Sequence, residues 1–121
     1  MRHLKNIAFY VVILLTGLAI GYAVPRLLRP LPYDKGDYST YFPDKNVRVV
    51  VYGTKDCPFC QQARSYFDTK GIRYVFLDVQ DSTEAASQHA RLGGGGVPAI
   101  LIGGRRIRGF WPEEIDKALA Q

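Results

Sequence analysis

The only two cysteines in this 121-residue chain fall in a single run, Cys57-Pro58-Phe59-Cys60. Thiols this close do not staple a fold, because a cross-link stabilises most when it closes a long loop. A zinc site would need two further ligands. The histidines are only His3 and His89, with no paired spacing, so no metal site is expected. What such a pair can do is exchange disulfides, with a thiolate as nucleophile. Free N–H groups and the positive dipole end at a helix N-terminus favour a thiolate there. The residues before the motif read as strand and turn, and those after it as helix. Cys57 therefore sits at the helix start, open to solvent, as the attacking thiol. Cys60, three residues on, lies on the same face and can resolve a mixed disulfide on Cys57. Pro58 suits the first turn because its φ is pre-set and it lacks an N–H. Lys55 adds a cation close by.

The elements that must position this pair are those of a compact α/β domain. Residues 47–52, Val-Arg-Val-Val-Val-Tyr, are β-rich and suit a buried strand. A turn over 53–56 leads to a helix over 57–70, stopped by Gly71, with Cys60, Ala63 and Phe67 on its core face. Residues 72–78 form a second strand and complete a βαβ unit. Asp81, with Glu84 three residues later, predicts an N-cap and a short helix to His89. Strands over 97–102 and 105–109 flank a Gly103-Gly104 turn. Pro112 then opens a helix over 112–119, with Glu113 and Glu114 in its first turn. The order is β-α-β-α-β-β-α. Arg105, Arg106 and Arg108 read as a solvated hairpin rather than an anion site.

Ahead of the domain, residues 6–25 are uncharged and lie between Lys5 and Arg26. As a helix they would span roughly 30 Å, the thickness of a bilayer's hydrocarbon core. No polar face interrupts the run, so it enters lipid rather than lying on its surface. Residues 1–24 are read as an uncleaved membrane anchor; the competing reading is a signal peptide cut after Gly21-Tyr22-Ala23. Residues 25–45 hold four of the seven prolines and predict an extended tether that stands the domain, residues 46–121, off the bilayer. Residues 1–45 carry six Lys/Arg against three Asp/Glu, and residues 46–121 carry ten against eight. The net charge of +5 thus flanks the apolar run more densely, and no nucleic-acid partner is expected. A short basic tail before a first apolar segment stays in the cytoplasm. The expectation is a single-pass protein of a bacterial inner membrane, its redox domain outside, in the periplasm of a Gram-negative cell.

Residues 47–119 resemble the glutaredoxins and the wider thioredoxin fold. The resemblance rests on Val51-Tyr-Gly-Thr-Lys-Asp-Cys-Pro-Phe-Cys60, on Gly96-Val-Pro-Ala99, and on Ile102-Gly-Gly104 followed by Gly109. It implies a thioredoxin fold preceded by one transmembrane helix and a cis bond at Val97-Pro98 in a loop lying against the cysteines. It also implies a Val97 backbone that pairs with a bound peptide or glutathione. Lys55, Phe59, Val97, Pro98, Gly109 and Phe110 are the binding residues it suggests. There are three departures. Gly96 stands where glutaredoxins usually have Thr. Thr54 fills the usual place of a cation, with Lys55 following. The acidic segment that holds glutathione is replaced by Arg108-Gly-Phe-Trp-Pro-Glu-Glu114, which is similar to the ending of redoxins that serve ribonucleotide reductase and draw on thioredoxin reductase.

The function expected is thiol–disulfide oxidoreduction of protein disulfides or glutathione mixed disulfides, with no bound cofactor. Glutathione or a donor like thioredoxin reductase would supply electrons, and disulfide-containing proteins would be the clients. Two alternatives belong to other classes. An iron–sulfur carrier would ligate a cluster through one Cys per copy plus glutathione, although Pro58 stands where such carriers tend to have Gly or Ser. A non-catalytic membrane adaptor would survive loss of both cysteines.

Overall fold

The computed structural model describes residues 1–121, which cluster into two units, Met1–Leu31 and Pro32–Gln121. The first is a single helix, α1 (Arg2–Leu27), with no buried residue; it is long and apolar enough to cross a membrane. The second is a five-stranded mixed sheet with helices on both faces. In chain order its elements are β1 (Tyr33–Lys35), a 3₁₀ turn at Ser39–Tyr41, β2 (Val49–Gly53), α2 (Pro58–Lys70) and β3 (Tyr74–Asp78). Then follow α3 (Thr83–Arg91), β4 (Ala99–Ile102), β5 (Arg105–Arg108) and α4 (Pro112–Leu119). The sheet order is β1-β5-β4-β2-β3, parallel between β2 and β3 and antiparallel elsewhere. The thioredoxin-like order expected from sequence is present, with one strand more.

Period-two alternation along the strands divides the core between the faces. Val49, Val51, Ile100, Ile102 and Ile107 meet Ala63 and Phe67 of α2 and Ile115 and Ala118 of α4. On the other side Val50, Tyr52, Ala99 and Leu101 pack with Leu92, just past α3. Both central strands are wholly buried, which explains their unbroken apolar runs. Gly71 ends α2 in the left-handed region at φ 66°, as its position predicted. The cap of α3 falls one residue later than expected. Ser82, not Asp81, accepts the Ala85 N–H on its side chain.

Two expectations give way. The stretch 25–45 is largely folded rather than an extended tether. Helix α1 runs through Pro25, β1 pairs with β5, and Tyr38, Tyr41 and Phe42 pack on the second core cluster. Only residues 28–31 remain between α1 and the compact unit. Of the arginines of β5, Arg108 is exposed as a solvated hairpin would have it, but the other two are not. Arg105 is buried, 4.7 Å above the Tyr33 ring and 3.9 Å from Glu114; Arg106 reaches Asp34 at 2.6 Å. The cause is the same in both cases: β1 covers the edge that β5 would otherwise expose, and Asp34 supplies the counter-charge.

Candidate active site at the start of helix α2

Strand β2 delivers the chain to its C-terminal end at Gly53, a turn follows, and α2 begins at Pro58 with Cys57 as N-cap. Cys57 thus stands one position outside the helix. Its Sγ accepts the Cys60 N–H at 3.3 Å, the role a Ser or Asp oxygen plays in an ordinary cap. The N–H aimed at the sulfur fixes its position at the open end of the helix. Cys57 is half-buried and Cys60 fully buried, and both thiols are free. The Cys60 thiol is pushed up to about 12, first by burial and then by its hydrogen bond with Cys57; nearby negative charge from Cys57 and Asp78 adds to this, while the Thr54 backbone opposes it. Cys60 therefore stays protonated at neutral pH until a reaction moves its proton.

The Val97-Pro98 bond is cis, as the resemblance implied. Pro98 is fully buried, and the half-buried Val97 holds its carbonyl oxygen 3.9 Å from Cys57 Sγ. Gly109, at φ +95°, donates its N–H to the Pro98 carbonyl at 2.8 Å and so ties the end of β5 to this loop. Of the remaining residues singled out from sequence, Phe59 is exposed beside the cysteines. Phe110 turns inward, edge-on to Tyr66 at 5.7 Å, and packs on the core. Trp111, next in the chain, stays exposed and donates its indole N–H to the Arg108 carbonyl at 2.9 Å. Lys55 is exposed and bound to Asp81 at 2.7 Å, a contact that raises its own pKa and spends its charge away from the thiols.

Sequence reasoning passed over one residue here. A Cβ on Gly53 would lie 2.7 Å from Cys60 Sγ and 3.0 Å from the Phe76 ring. The bare backbone is what lets the Cys60 thiol tuck against β2. A glycine closing a Val-rich strand directly before the motif was the available signal. No three His, Cys, Asp or Glu side chains converge as a metal site would need. A cleft of about 720 Å³ opens elsewhere, lined in part by Gly36, Phe42, Arg48 and Gly104, and neither cysteine borders it.

Known proteins resemble this domain in sequence and fold. A sequence model of the glutaredoxin family matches residues 49–107. A glutaredoxin-like 8.6 kDa protein of the rubredoxin operon of Clostridium pasteurianum is 35% identical over 72 residues, covering 59% of this chain and 96% of that protein. The N-acetyl-S-hydroxy-L-cysteine reductase of Bacillus subtilis (strain 168) is 29% identical over 79 residues, covering 61% of this chain and 85% of that one. Among solved structures, the glutaredoxin-like NrdH-redoxin of Escherichia coli superposes with a TM-score of 0.54 at 24% identity, over 59% of this chain and 93% of its own.

Proposed function

The chain belongs to the glutaredoxin family and carries a thiol–disulfide oxidoreductase domain; from that premise we propose that it is a membrane-anchored reductase of protein disulfides. The observation that carries this reading is Cys57 as N-cap, with its Sγ on the Cys60 N–H and the Val97 carbonyl alongside. Cys57 thiolate attacks a client disulfide, forming the Cys57–client mixed disulfide and expelling the other client sulfur as thiolate, which takes up a proton. Cys60 then loses its proton and attacks Cys57 Sγ. The second client thiol leaves, and the Cys57–Cys60 disulfide holds the two electrons' worth of oxidation. A donor dithiol, or two glutathione molecules, reverses this. The backbone at Val97 would pair with the client segment, Phe59 would flank it, and Lys55, Pro98, Gly109 and Phe110 would shape or support the loop around it.

Glutathione is the weaker donor in this proposal. Charge-assisted contacts are the strong ones in small peptide sites. The acidic residues that directly follow the Gly109-Phe-Trp-Pro112 segment are Glu113 and Glu114, and Glu114 already faces Arg105 and Lys117. The domain is proposed to lie outside the cytoplasm, so an alkaline phosphatase fusion after Gln121 should be active. The deciding experiment uses the cysteine variants. Cys57→Ser abolishes disulfide reduction, whereas Cys60→Ser accumulates mixed disulfides on Cys57. Preferential alkylation of Cys60 at mildly acidic pH would overturn the assignment.

A further inference from the structure

The chain leaves the apolar helix and enters the compact unit at the end of the sheet that carries the cysteines. The Pro32 carbonyl accepts the Arg108 N–H at 2.8 Å, the next residue's N–H reaches the Pro98 carbonyl at 2.8 Å, and the neighbouring Val97 carbonyl lies 3.9 Å from Cys57 Sγ. With one residue spanning at most about 3.6 Å, the path from Pro32 to the thiol is no more than about 20 Å. The opposite end of the sheet, at the Gly103-Gly104 turn, is the end remote from the entry point.

The connection itself favours lipid over water. Leu27, Leu28 and Leu31 are all exposed, with Arg29 the one charge among residues 27–31. Such a segment settles at the bilayer boundary, apolar side chains inward and the arginine at headgroup level. Pro32 follows directly. Around it lies a cleft of about 530 Å³ lined by Pro32, Trp111, Pro112, Glu113 and Glu114. In the compact unit the exposed large apolar side chains are Phe59, two residues past Cys57, and Trp111, which lines this cleft with Pro32. An indole with its ring in contact with solvent and its N–H already bonded to a backbone carbonyl is well suited to the headgroup region. Arg108 and Glu113, flanking it in sequence, balance in charge, so anionic lipid is not required.

We infer that the dithiol end of the domain rests on the surface of the bilayer that holds α1, with Trp111 as the interfacial contact, and that its clients are disulfides at headgroup level, in membrane-embedded proteins. The inference rests on reading α1 as an uncleaved anchor and Cys57 and Cys60 as the working pair.

Trp111 is the chain's single tryptophan, which makes the placement measurable in the full-length protein. In phosphatidylcholine vesicles its emission should be blue-shifted and quenched by a lipid carrying a nitroxide near the start of its acyl chain. An insertion of about twenty Gly/Ser residues between Leu31 and Pro32, with an r.m.s. span of roughly 25 Å, should return it to water-like emission open to aqueous iodide. Pre-reduced protein is then mixed with phosphatidylethanolamine bearing a pyridyl disulfide. One turnover yields the lipid thiol, pyridine-2-thione and the Cys57–Cys60 disulfide. Confinement to the surface should make this on the order of 100-fold faster than with a soluble pyridyl disulfide at equal bulk concentration. The insertion should remove most of that advantage and leave the soluble reaction unchanged. Protein that floats with the vesicles while Trp111 is equally open to iodide with and without the insertion overturns the inference alone, and would leave Phe59 and Trp111 as a surface for soluble clients. Protein that fails to float overturns the anchor and the inference with it. Protein that floats, with Trp111 quenched by the nitroxide lipid, but reduces neither disulfide overturns the oxidoreductase reading while upholding the placement.

Discussion

Gly53→Ala tests whether the buried thiol depends on a missing side chain. The added methyl would meet Cys60 Sγ at 2.7 Å, Phe76 Cε2 at 3.0 Å and Cys60 Cβ at 3.2 Å. Comfortable contacts between heavy atoms fall near 3.5–4.0 Å, so all three neighbours must move. None is the free end of a flexible chain: Cys60 is short and fully buried, and the Phe76 ring lies under the Arg64 guanidinium at 4.3 Å. Overpacking of this kind costs about 1–3 kcal/mol. For a unit of this size each kcal/mol moves the melting temperature by about 4–8 °C, so a fall of roughly 5–20 °C is expected. The chemical effect is the sharper readout. Pushing Cys60 off β2 relieves the burial that holds its proton, so in a Cys57→Ser background it should alkylate at lower pH. Gly71→Ala is the control, since its φ of 66° costs about 1–2 kcal/mol with nothing within 4 Å and the cysteines untouched. Near-ultraviolet circular dichroism of the detergent-solubilised protein follows melting, and mass spectrometry follows alkylation. A Gly53→Ala protein that melts within about 2 °C of wild type, less than half of what 1 kcal/mol would produce, with Cys60 no more reactive, would refute the reasoning.

Stability should decline in alkali. Cys60 moves from 9.0 to about 12 and Tyr52 from 10.0 to about 12, each chiefly by burial. Above about pH 9 the unfolded chain gives up protons that the folded one keeps, so stability present below that pH is lost progressively towards pH 12. Denaturant midpoints against pH should show this, with the early part of the decline flattened in Cys60→Ala. Asp34→Asn removes the charge opposite Arg106, whose Nε is buried without an acceptor; because Asp34 is 42% exposed, the cost is discounted to about 1–2 kcal/mol. Hydrogen exchange should show β1 opening first. Turnover of a glutathione-linked model disulfide should fall well below that of a dithiol glutaredoxin assayed alongside, and equal turnover would remove the argument from the altered Gly109-Phe-Trp-Pro112 segment.

Most of the architecture was legible in the residues because it is local. The Val-rich strand, the Cys60-Ala63-Phe67 face, Gly71 as a stop and Pro112 as a start are set by neighbours within a turn or two, and such signals survive in one dimension. The cysteine pair and its place at a helix start were legible for the same reason, although its N-cap geometry was one residue finer than periodicity resolves. What only the tertiary structure decided depends on partners far along the chain. Tyr33-Asp34-Lys35 has neither the length nor the alternation of a strand; it becomes one because β5 offers an open edge and Arg106, 72 residues away, needs a counter-charge. That pairing turned an expected spacer into part of the domain and reversed the reading of Arg105 and Arg106 from solvated to packed, while Arg108 stayed exposed. Phe110 and Trp111 were indistinguishable in sequence, and Tyr66 across the fold drew one inward. Gly53 looked like a turn residue until Cys60 Sγ was found in the space its side chain would fill. Propensity and periodicity report what a residue prefers, while packing and charge compensation report which neighbours the fold supplies, and those exist only once the chain has closed on itself.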